Sequence, residues 1–467
     1  MCGILGIVNF SKEEIDPRII LEAWKKIEHR GKDFYKIWVD GEEICKTSIE
    51  KCVEKIPSNF HILIAQNTLS ITGNPCFPLE KNQKVIACNG EVFNWKELGD
   101  YKNDLEAFFS NELKEINGIY ACAELDLKKN ILKLFRDPIG VNPLCYGYGK
   151  NFFVFASEMK ALRVFKNYVI KTEHLNPRKF LLLNIKTQKI SFENHCIEID
   201  FFPEKFIKNY EKLESLLLKA VEIQTRGLKK FGVLFSGGID ACLLAKFCLD
   251  LERKFTCFAC GTQNSQDLEA ARKFCDEYGI KLKEVIVNEH EVERVLKKVV
   301  YSIETKDFVQ VSIALPLYFA SLASKQEKNK VVFSGLGAEE LFAGYYKYRK
   351  NIDKLHEICA KGLENIWIKD LYRDNCVVMS NTQELRVPYL DLEFVNYAMK
   401  ISPELKVVNG IEKYVLRKIA EKHISNFAWR RKKAAQYGSG IVKILKTLAK
   451  KKGFKRKSEL LNLIEIE

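Results

Sequence analysis

Residues 231–240 constrain this chain most. An apolar run, Phe231-Gly-Val-Leu-Phe235, passes at once into Ser236-Gly-Gly-Ile-Asp240, and helical spacing then runs from Ala241 to Cys248. A second strand (Phe255 to Cys260), a helix (Asp267 to Tyr278) and a third strand (Leu282 to Val287) follow. Strands alternating with helices must be joined by crossovers, so an α/β doubly wound parallel sheet is expected. Backbone N–H groups in such a strand–turn–helix corner, backed by the helix dipole, can hold phosphate oxygens. The glycines let the backbone come close, and Asp240 can share Mg²⁺ with phosphate oxygens.

The first part of the chain reads differently. Ile4 to Val8, His61 to Ile64, Lys84 to Ala87, Ile119 to Leu125 and Phe152 to Ala156 are short β-type runs between turn signals. Ile20 to Ile27 and Asp104 to Leu113 carry helical periodicity, which makes this part α+β. Tyr210 to Ile223 has Leu213, Leu216, Leu217 and Val221 on one helical face. We therefore expect one domain over residues 2–190, a second over 207–450, mostly helical beyond 340, and a basic tail over 451–467.

Composition narrows the class. Of 467 residues, 47% are hydrophobic and 29% charged, as in a soluble protein with large cores. No apolar run approaches the roughly 18 residues of a membrane span. The 15 cysteines are odd in number and scattered, which favours reduced thiols and a cytoplasmic setting. The one C-x-x-C, Cys257 to Cys260, lies in an apolar run and reads as buried strand rather than zinc site. Part of the +14 charge sits in Arg430-Arg-Lys-Lys433 and Lys450 to Lys457. A solvated face suits these clusters better than nucleic-acid binding, and the second cluster has no interleaved aromatic beyond Phe454.

Met1-Cys2-Gly3 introduces chemistry. Once Met1 is removed, Cys2 carries a thiol and a free α-amine. Such an amine titrates near about 8, so part of it is neutral and can take the thiol proton. A lone cysteine is weak evidence. Asn89-Gly90-Glu91, Arg136-Asp137-Pro-Ile-Gly140 and Ser157-Glu-Met-Lys160 follow at fitting intervals. Together these segments resemble the class II glutamine amidotransferase domain over about residues 1–190. The resemblance implies a four-layer αββα sandwich with Cys2 as nucleophile. It also implies that Asn89 and the Gly90 N–H form an oxyanion hole, and that Glu91 and Asp104 hold the glutamine ammonium. Asn-Gly is equally a strong hairpin-turn signal. Where this family places an arginine for the glutamine carboxylate, this chain has Thr68.

The Ser236–Asp240 corner resembles the pyrophosphate loop of ATP pyrophosphatases. With Ser265-Gln-Asp267, Phe333-Ser-Gly-Leu-Gly-Ala-Glu-Glu340, Glu384-Leu-Arg-Val-Pro-Tyr-Leu-Asp391 and Ile411-Glu-Lys413, the chain is similar to glutamine-hydrolysing asparagine synthetases up to about residue 440. The resemblance places ATP at Ser236, Gly237, Gly238 and Asp240, with Leu234, Cys260, Ser334 and Gly335 around the nucleotide. It implies Mg²⁺ at Asp240 and Glu339, and Lys413 beside the α-phosphate. Arg386 to Asp391 reads equally as a buried ion pair with a turn, or as a substrate contact. Three positions depart: Ala241 replaces a serine, Glu339 an aspartate and Leu336 a glutamate. Leu336, with Lys432 to Gly440, points to a divergent branch of asparagine synthetase domain-containing proteins and archaeal paralogues. The expected substrates are glutamine, ATP and aspartate. A different acceptor carboxylate, a nucleotide-binding protein without catalysis, and homodimerisation stay open.

Overall fold

The structure, a computed structural model, describes residues 2–73, 77–345, 352–430 and 435–465. Met1 and the cationic residues Arg431, Lys432 and Lys433 lie outside the described residues. The chain forms two compact units, Met1–Glu198 and Ile199–Ile466.

The first unit holds thirteen strands among its described residues. They are β1 (Cys2–Asn9), β2 (Phe34–Val39), β3 (Glu42–Lys46), β4 (Ile62–Thr68), β5 (Leu79–Lys81), β6 (Lys84–Val92), β7 (Gly118–Asp126), β8 (Ile131–Arg136), β9 (Cys145–Tyr148), β10 (Phe152–Ala156), β11 (Lys171–His174), β12 (Lys179–Asn184) and β13 (Lys189–Asn194). They build one sheet in the order β11-β9-β10-β1-β4-β2-β3 and another in the order β13-β12-β8-β7-β6-β5. Alternation along each strand sends one set of side chains between the sheets. Ile4, Val8 and Ile64 from the first sheet meet Val85, Ala87, Ala121 and Leu134 from the second in one core. The helices Pro17–Lys25, Ile49–Val53 and Met159–Arg163 belong to the first sheet's outer side. Leu105 and Phe108 join Ile86, Cys88, Tyr120 and Phe135 on the outer side of the second. This is an αββα sandwich.

Two local expectations change. Residues expected as a helix over 104–113 instead form the 3-10 helices Asp104–Phe109 and Leu113–Glu115. A 3-10 turn eclipses residues three apart, which stacks Leu105 above Phe108 toward the sheet. Asn89-Gly90 is not a hairpin turn. It lies inside β6, with Asn89 opposite Ala121 and Gly90 opposite Tyr120. A Cβ on Gly90 would fall 2.8 Å from Tyr120 Cα, so this glycine serves close approach of two strands.

The second unit carries a five-stranded parallel sheet in the order β16-β15-β14-β17-β18. Its strands are β14 (Phe231–Leu234), β15 (Phe255–Gly261), β16 (Leu282–Ile286), β17 (Val331–Phe333) and β18 (Glu384–Arg386). The chain starts at β14, moves outward through β15 and β16, then returns to the other side of β14 for β17 and β18. The order therefore reverses between β14 and β17, and ligands of such sheets bind outside the carboxyl ends at that reversal. Cys257 and Cys260 lie in β15, fully or almost fully buried. The helix Phe308–Gln326 is long and apolar enough to cross a membrane, but 67% of its apolar window is buried inside the protein. Residues 457–463 form a 3-10 helix that buries Leu460 and Leu461, so the basic C-terminal segment is part of the fold.

Candidate active sites

The first site starts at the end of β1. Cys2 lies opposite Thr68 in β4, and both are buried. The Cys2 N–H donates to Asn89 Oδ1 at 2.8 Å. Burial pushes the Cys2 thiol up from its ordinary value, while Thr68 and the Leu69 backbone pull it partly back.

Strand periodicity explains the donors around Cys2. β5 pairs with β6 only over residues 84–86, leaving one edge of β6 open beyond them. On that edge the Cys88 N–H donates to Gln66 Oε1 at 2.9 Å, and the Val92 N–H donates to Asp104 Oδ2 at 2.9 Å. Gly90, midway between them, points its N–H to the same edge. Asn89 spends its Oδ1 on Cys2, and its Nδ2 is buried without a hydrogen-bond partner. A buried amide donor without a partner is costly unless a ligand completes it. Asn89 Nδ2 is thus an open donor beside Cys2, and the Gly90 N–H faces the open edge of the same strand.

Glu91 is nearly buried and accepts from the Thr72 hydroxyl. Asp104 is also buried, with one oxygen on the Val92 N–H. The two carboxylates therefore sit at one end of β6.

Several residues that sequence reasoning left without a role hold this corner. Arg30 Nε donates to the Cys2 carbonyl at 3.1 Å, and its Nη1 meets Glu158. Glu158 also meets His29 and Lys160. Burial alone would push the Glu158 carboxyl up, but His29, Lys160 and Arg30 hold it well below the ordinary carboxylate range. Ser157 Oγ accepts from the Ile4 N–H at 3.0 Å. Asn142 Nδ2 donates to the Asn89 carbonyl at 2.9 Å. Arg136 braces that loop through the carbonyls of Gly140, Asn142 and Leu175. The Arg136–Gly140 and Ser157–Lys160 motifs carried the signal, but their partners are far away in sequence.

The second site lies where the sheet order reverses. β14 leads into Ser236–Gly238, and β17 leads into Ser334–Gly337. Gly237 is left-handed (φ +63°), and Gly238 precedes the helix Ile239–Asp250. Gly335 packs on that helix's first turn: a Cβ there would lie 2.7 Å from Asp240 Cβ. Leu234 ends β14, Cys260 lies one residue before the end of the adjacent β15, and Ser334 is tied through its N–H to the Arg386 carbonyl at 3.0 Å. Arg386 itself forms a buried ion pair with Glu384 at 2.6 Å. Ala241 is buried, and Leu336 is half-buried.

Lys413 joins these parts. Its Nζ lies 2.9 and 2.7 Å from the two Asp240 oxygens and 2.8 Å from Glu339 Oε1. Burial alone would lower the lysine; Asp240 and Glu339 outweigh it and raise it. Lys413 holds a left-handed backbone (φ +56°), an uncommon state for a non-glycine residue that these ion pairs help maintain. Glu339 Oε2 remains buried without a partner. Among the described residues no group of three or more His, Cys, Asp or Glu could hold a metal alone. Two carboxylates with a free oxygen fit Mg²⁺, which commonly takes one or two carboxylates and completes its shell with phosphate and water.

Glu340 follows Glu339 in the short helix Ala338–Leu341. It is buried, accepts from the Tyr345 hydroxyl at 2.6 Å, and burial pushes its carboxyl up to about 7.

Comparison with known proteins identifies both units. The family model described as asparagine synthase matches residues 212–352 and 347–467, and the glutamine amidotransferase domain matches 68–164. A Methanocaldococcus jannaschii protein, provisionally named glutamine-hydrolyzing asparagine synthetase 1, is 30% identical, with 100% of this chain and 99% of that protein covered. Asparagine synthetase B of Escherichia coli is 28% identical over 94% of this chain and 82% of its own. The human asparagine synthetase is 28% identical over 95% and 85%. The chain belongs to the family of glutamine-hydrolysing asparagine synthetases.

Proposed function

We propose that the chain makes asparagine from aspartate, ATP and glutamine. The observation that carries the glutamine-using half of this reading is the unpartnered Asn89 Nδ2 beside Cys2, with the Gly90 N–H facing the open edge of the same strand.

In this reading the Cys2 thiol, its proton taken by the α-amine, attacks the glutamine side-chain amide. Asn89 and Gly90 hold the tetrahedral oxyanion, and Glu91 and Asp104 hold the substrate ammonium. Arg30, anchored on Glu158, fixes the Cys2 carbonyl and so the direction of β1. Ammonia leaves, and water releases glutamate from the thioester. In the second unit, Ser236–Gly238 bind phosphate oxygens and Lys413 steadies charge at the α-phosphate. Asp240 and Glu339 would hold Mg²⁺, which neutralises phosphate charge. Activation is required because a free carboxylate is a poor electrophile at neutral pH. The acyl-adenylate then accepts ammonia, releasing AMP.

A half-buried leucine at 336, where a carboxylate would offer a proton site, favours a second reading with another acceptor acid. Product analysis separates them. The protein is incubated with glutamine, ATP, Mg²⁺ and aspartate, and glutamate, pyrophosphate and asparagine are measured. Asparagine in step with pyrophosphate is expected. Glutamate and pyrophosphate without asparagine would remove aspartate as acceptor, and no turnover of either half would remove catalysis.

A further inference from the structure

The outermost strand of the second sheet, β13, carries a pattern that neither site uses. It pairs only with β12, so its other edge is open. Five of its six residues are exposed, and Ile190 is half-buried. The His195 N–H donates to the Arg178 carbonyl at 3.0 Å, one step beyond the Asn194–Lys179 pair of the same ladder. Hydrogen-bonded pairs alternate along an antiparallel ladder, so Glu193, Ser191 and Lys189 also bond toward β12. Ile190, Phe192 and Asn194 therefore turn their N–H and C=O groups outward.

Side chains alternate in the same strand. Phe192 meets Tyr146 of the first sheet with ring centroids 6.3 Å apart, and Ile190 packs on the core between the sheets. Phe192 is nevertheless 51% exposed. Lys189, Ser191 and Glu193 face the opposite way, and no ion pair joins Lys189 or Glu193 to another described residue. Ile170, 84% exposed, precedes β11, which is the edge strand beside the one that carries Tyr146. Among the described residues, the two large apolar side chains that the first unit leaves exposed thus lie on one side of the sandwich. An open edge with exposed apolar side chains is a template for pairing with another chain.

We propose that a second copy of this chain covers this edge, with β13 pairing antiparallel to β13 about a two-fold axis at Ser191. The strand itself selects the register. Outward-bonding residues must face outward-bonding residues, which permits only every second register. The register centred on Ser191 sets Ile190 opposite Phe192 of the second copy, and Phe192 opposite its Ile190. Those two pairs exchange four backbone hydrogen bonds. Lys189 then stands opposite Glu193 of the second copy, and symmetry repeats the pair, giving two ion pairs on the outer face. The adjacent permitted registers oppose Phe192 to Phe192 or Ile190 to Ile190, and both lose the ion pairs. Contacts of this kind, the same patch on both subunits, close as a dimer. A six-residue edge falls short of the roughly 1,600 Å² of a standard interface, so the dimer is reversible.

The test is a crosslink at the axis together with a charge exchange, both in the full-length chain. Ser191 would face its own copy as a non-hydrogen-bonded pair, whose Cα atoms approach to about 4.5 Å, within reach of a disulfide. Ser191→Cys treated with oxidised glutathione should run as a covalent dimer on a non-reducing gel. Wild type, with Cys45 and Cys196 exposed, is the control and should not. By sedimentation velocity, Lys189→Glu and Glu193→Lys should each weaken the dimer about tenfold, because both symmetry-related pairs become repulsive. The double variant exchanges the charges and should return to near wild type. A wild type that stays monomeric up to about 100 μM would overturn the proposal. A dimer that neither single variant weakens, or a Ser191→Cys chain that does not crosslink, would place the interface elsewhere. Single variants that the double does not restore would refute the register, and with it the axis at Ser191.

Discussion

Replacing Asn89 by Ala tests the first site most directly. Two bonds are at stake, and they have separate readouts. Asn89 Nδ2 is the donor left for the oxyanion, and losing one such donor typically costs about 10²–10³ in rate, or about 2.7–4 kcal/mol. Asn89 is fully buried, so solvent cannot replace the missing donor, and the upper part of that range applies. The donor acts on charge that exists only in the transition state, so kcat for glutamate release should fall while KM for glutamine changes little. Asn89 Oδ1 accepts from the Cys2 N–H, and orphaning that donor should lower stability by about 1–3 kcal/mol. Steady-state glutaminase assays give the first quantity and thermal unfolding the second. Amide synthesis driven by added ammonia serves as a folding control and should be unchanged. Glutamine hydrolysis within fivefold of wild type would refute the oxyanion assignment. A raised KM at constant kcat would instead place Asn89 in ground-state binding.

Cys2→Ala should abolish glutamate release while sparing ammonia-driven synthesis; surviving glutaminase activity would move the nucleophile elsewhere. Glu340→Gln should flatten the pH dependence of stability in the second unit. An acid raised in the fold keeps its proton from about pH 4.5 to about 7, so stability is lost as pH rises through that window and is level above it. The loss amounts to about 3 kcal/mol. Urea unfolding at pH 5 and pH 8 should show the variant gaining on wild type at the higher pH, and parallel behaviour would contradict a buried proton. Lys413→Met leaves Asp240 and Glu339 facing each other without their cation, at a cost of about 3–5 kcal/mol. It should also stop pyrophosphate release; a variant with wild-type synthesis would exclude Lys413 from the chemistry.

What the sequence made legible was local. The Ser236–Asp240 corner is set by one strand, two glycines and one helix, all within twenty residues, and its neighbours β15 and β16 follow the same alternation. Asn89-Gly90 has two physical uses, and the turn is the one the fold does not take. As a turn signal it depends on its own backbone, whereas here the glycine is needed because Tyr120 crosses closely from another strand. The helix expected over 104–113 failed for a related reason. Periodicity counts apolar residues but cannot register that Asp104 is spent on the Val92 N–H, or that the sheet below suits an eclipsed stack. Arg30 escaped because a cation's role lies in its partners. Those partners, the Cys2 carbonyl and Glu158, are set by tertiary folding.

Gly344 gives the second site a constraint on inheritance. A Cβ there would overlap both Glu339 Oε2 and Lys413 Cε, so the extra methylene of a glutamate at 339 is accommodated only while 344 stays bare. Glu339→Asp would draw the carboxylate back and remove the first of these overlaps, leaving only the flexible lysine stem to shift. The two positions should then behave as one trait: Gly344→Ala should be harmful beside Glu339 and better tolerated in the Glu339→Asp background. A lineage that lengthened this acid would have closed off one mutational route five residues away, while remaining free to alter charge within the mould.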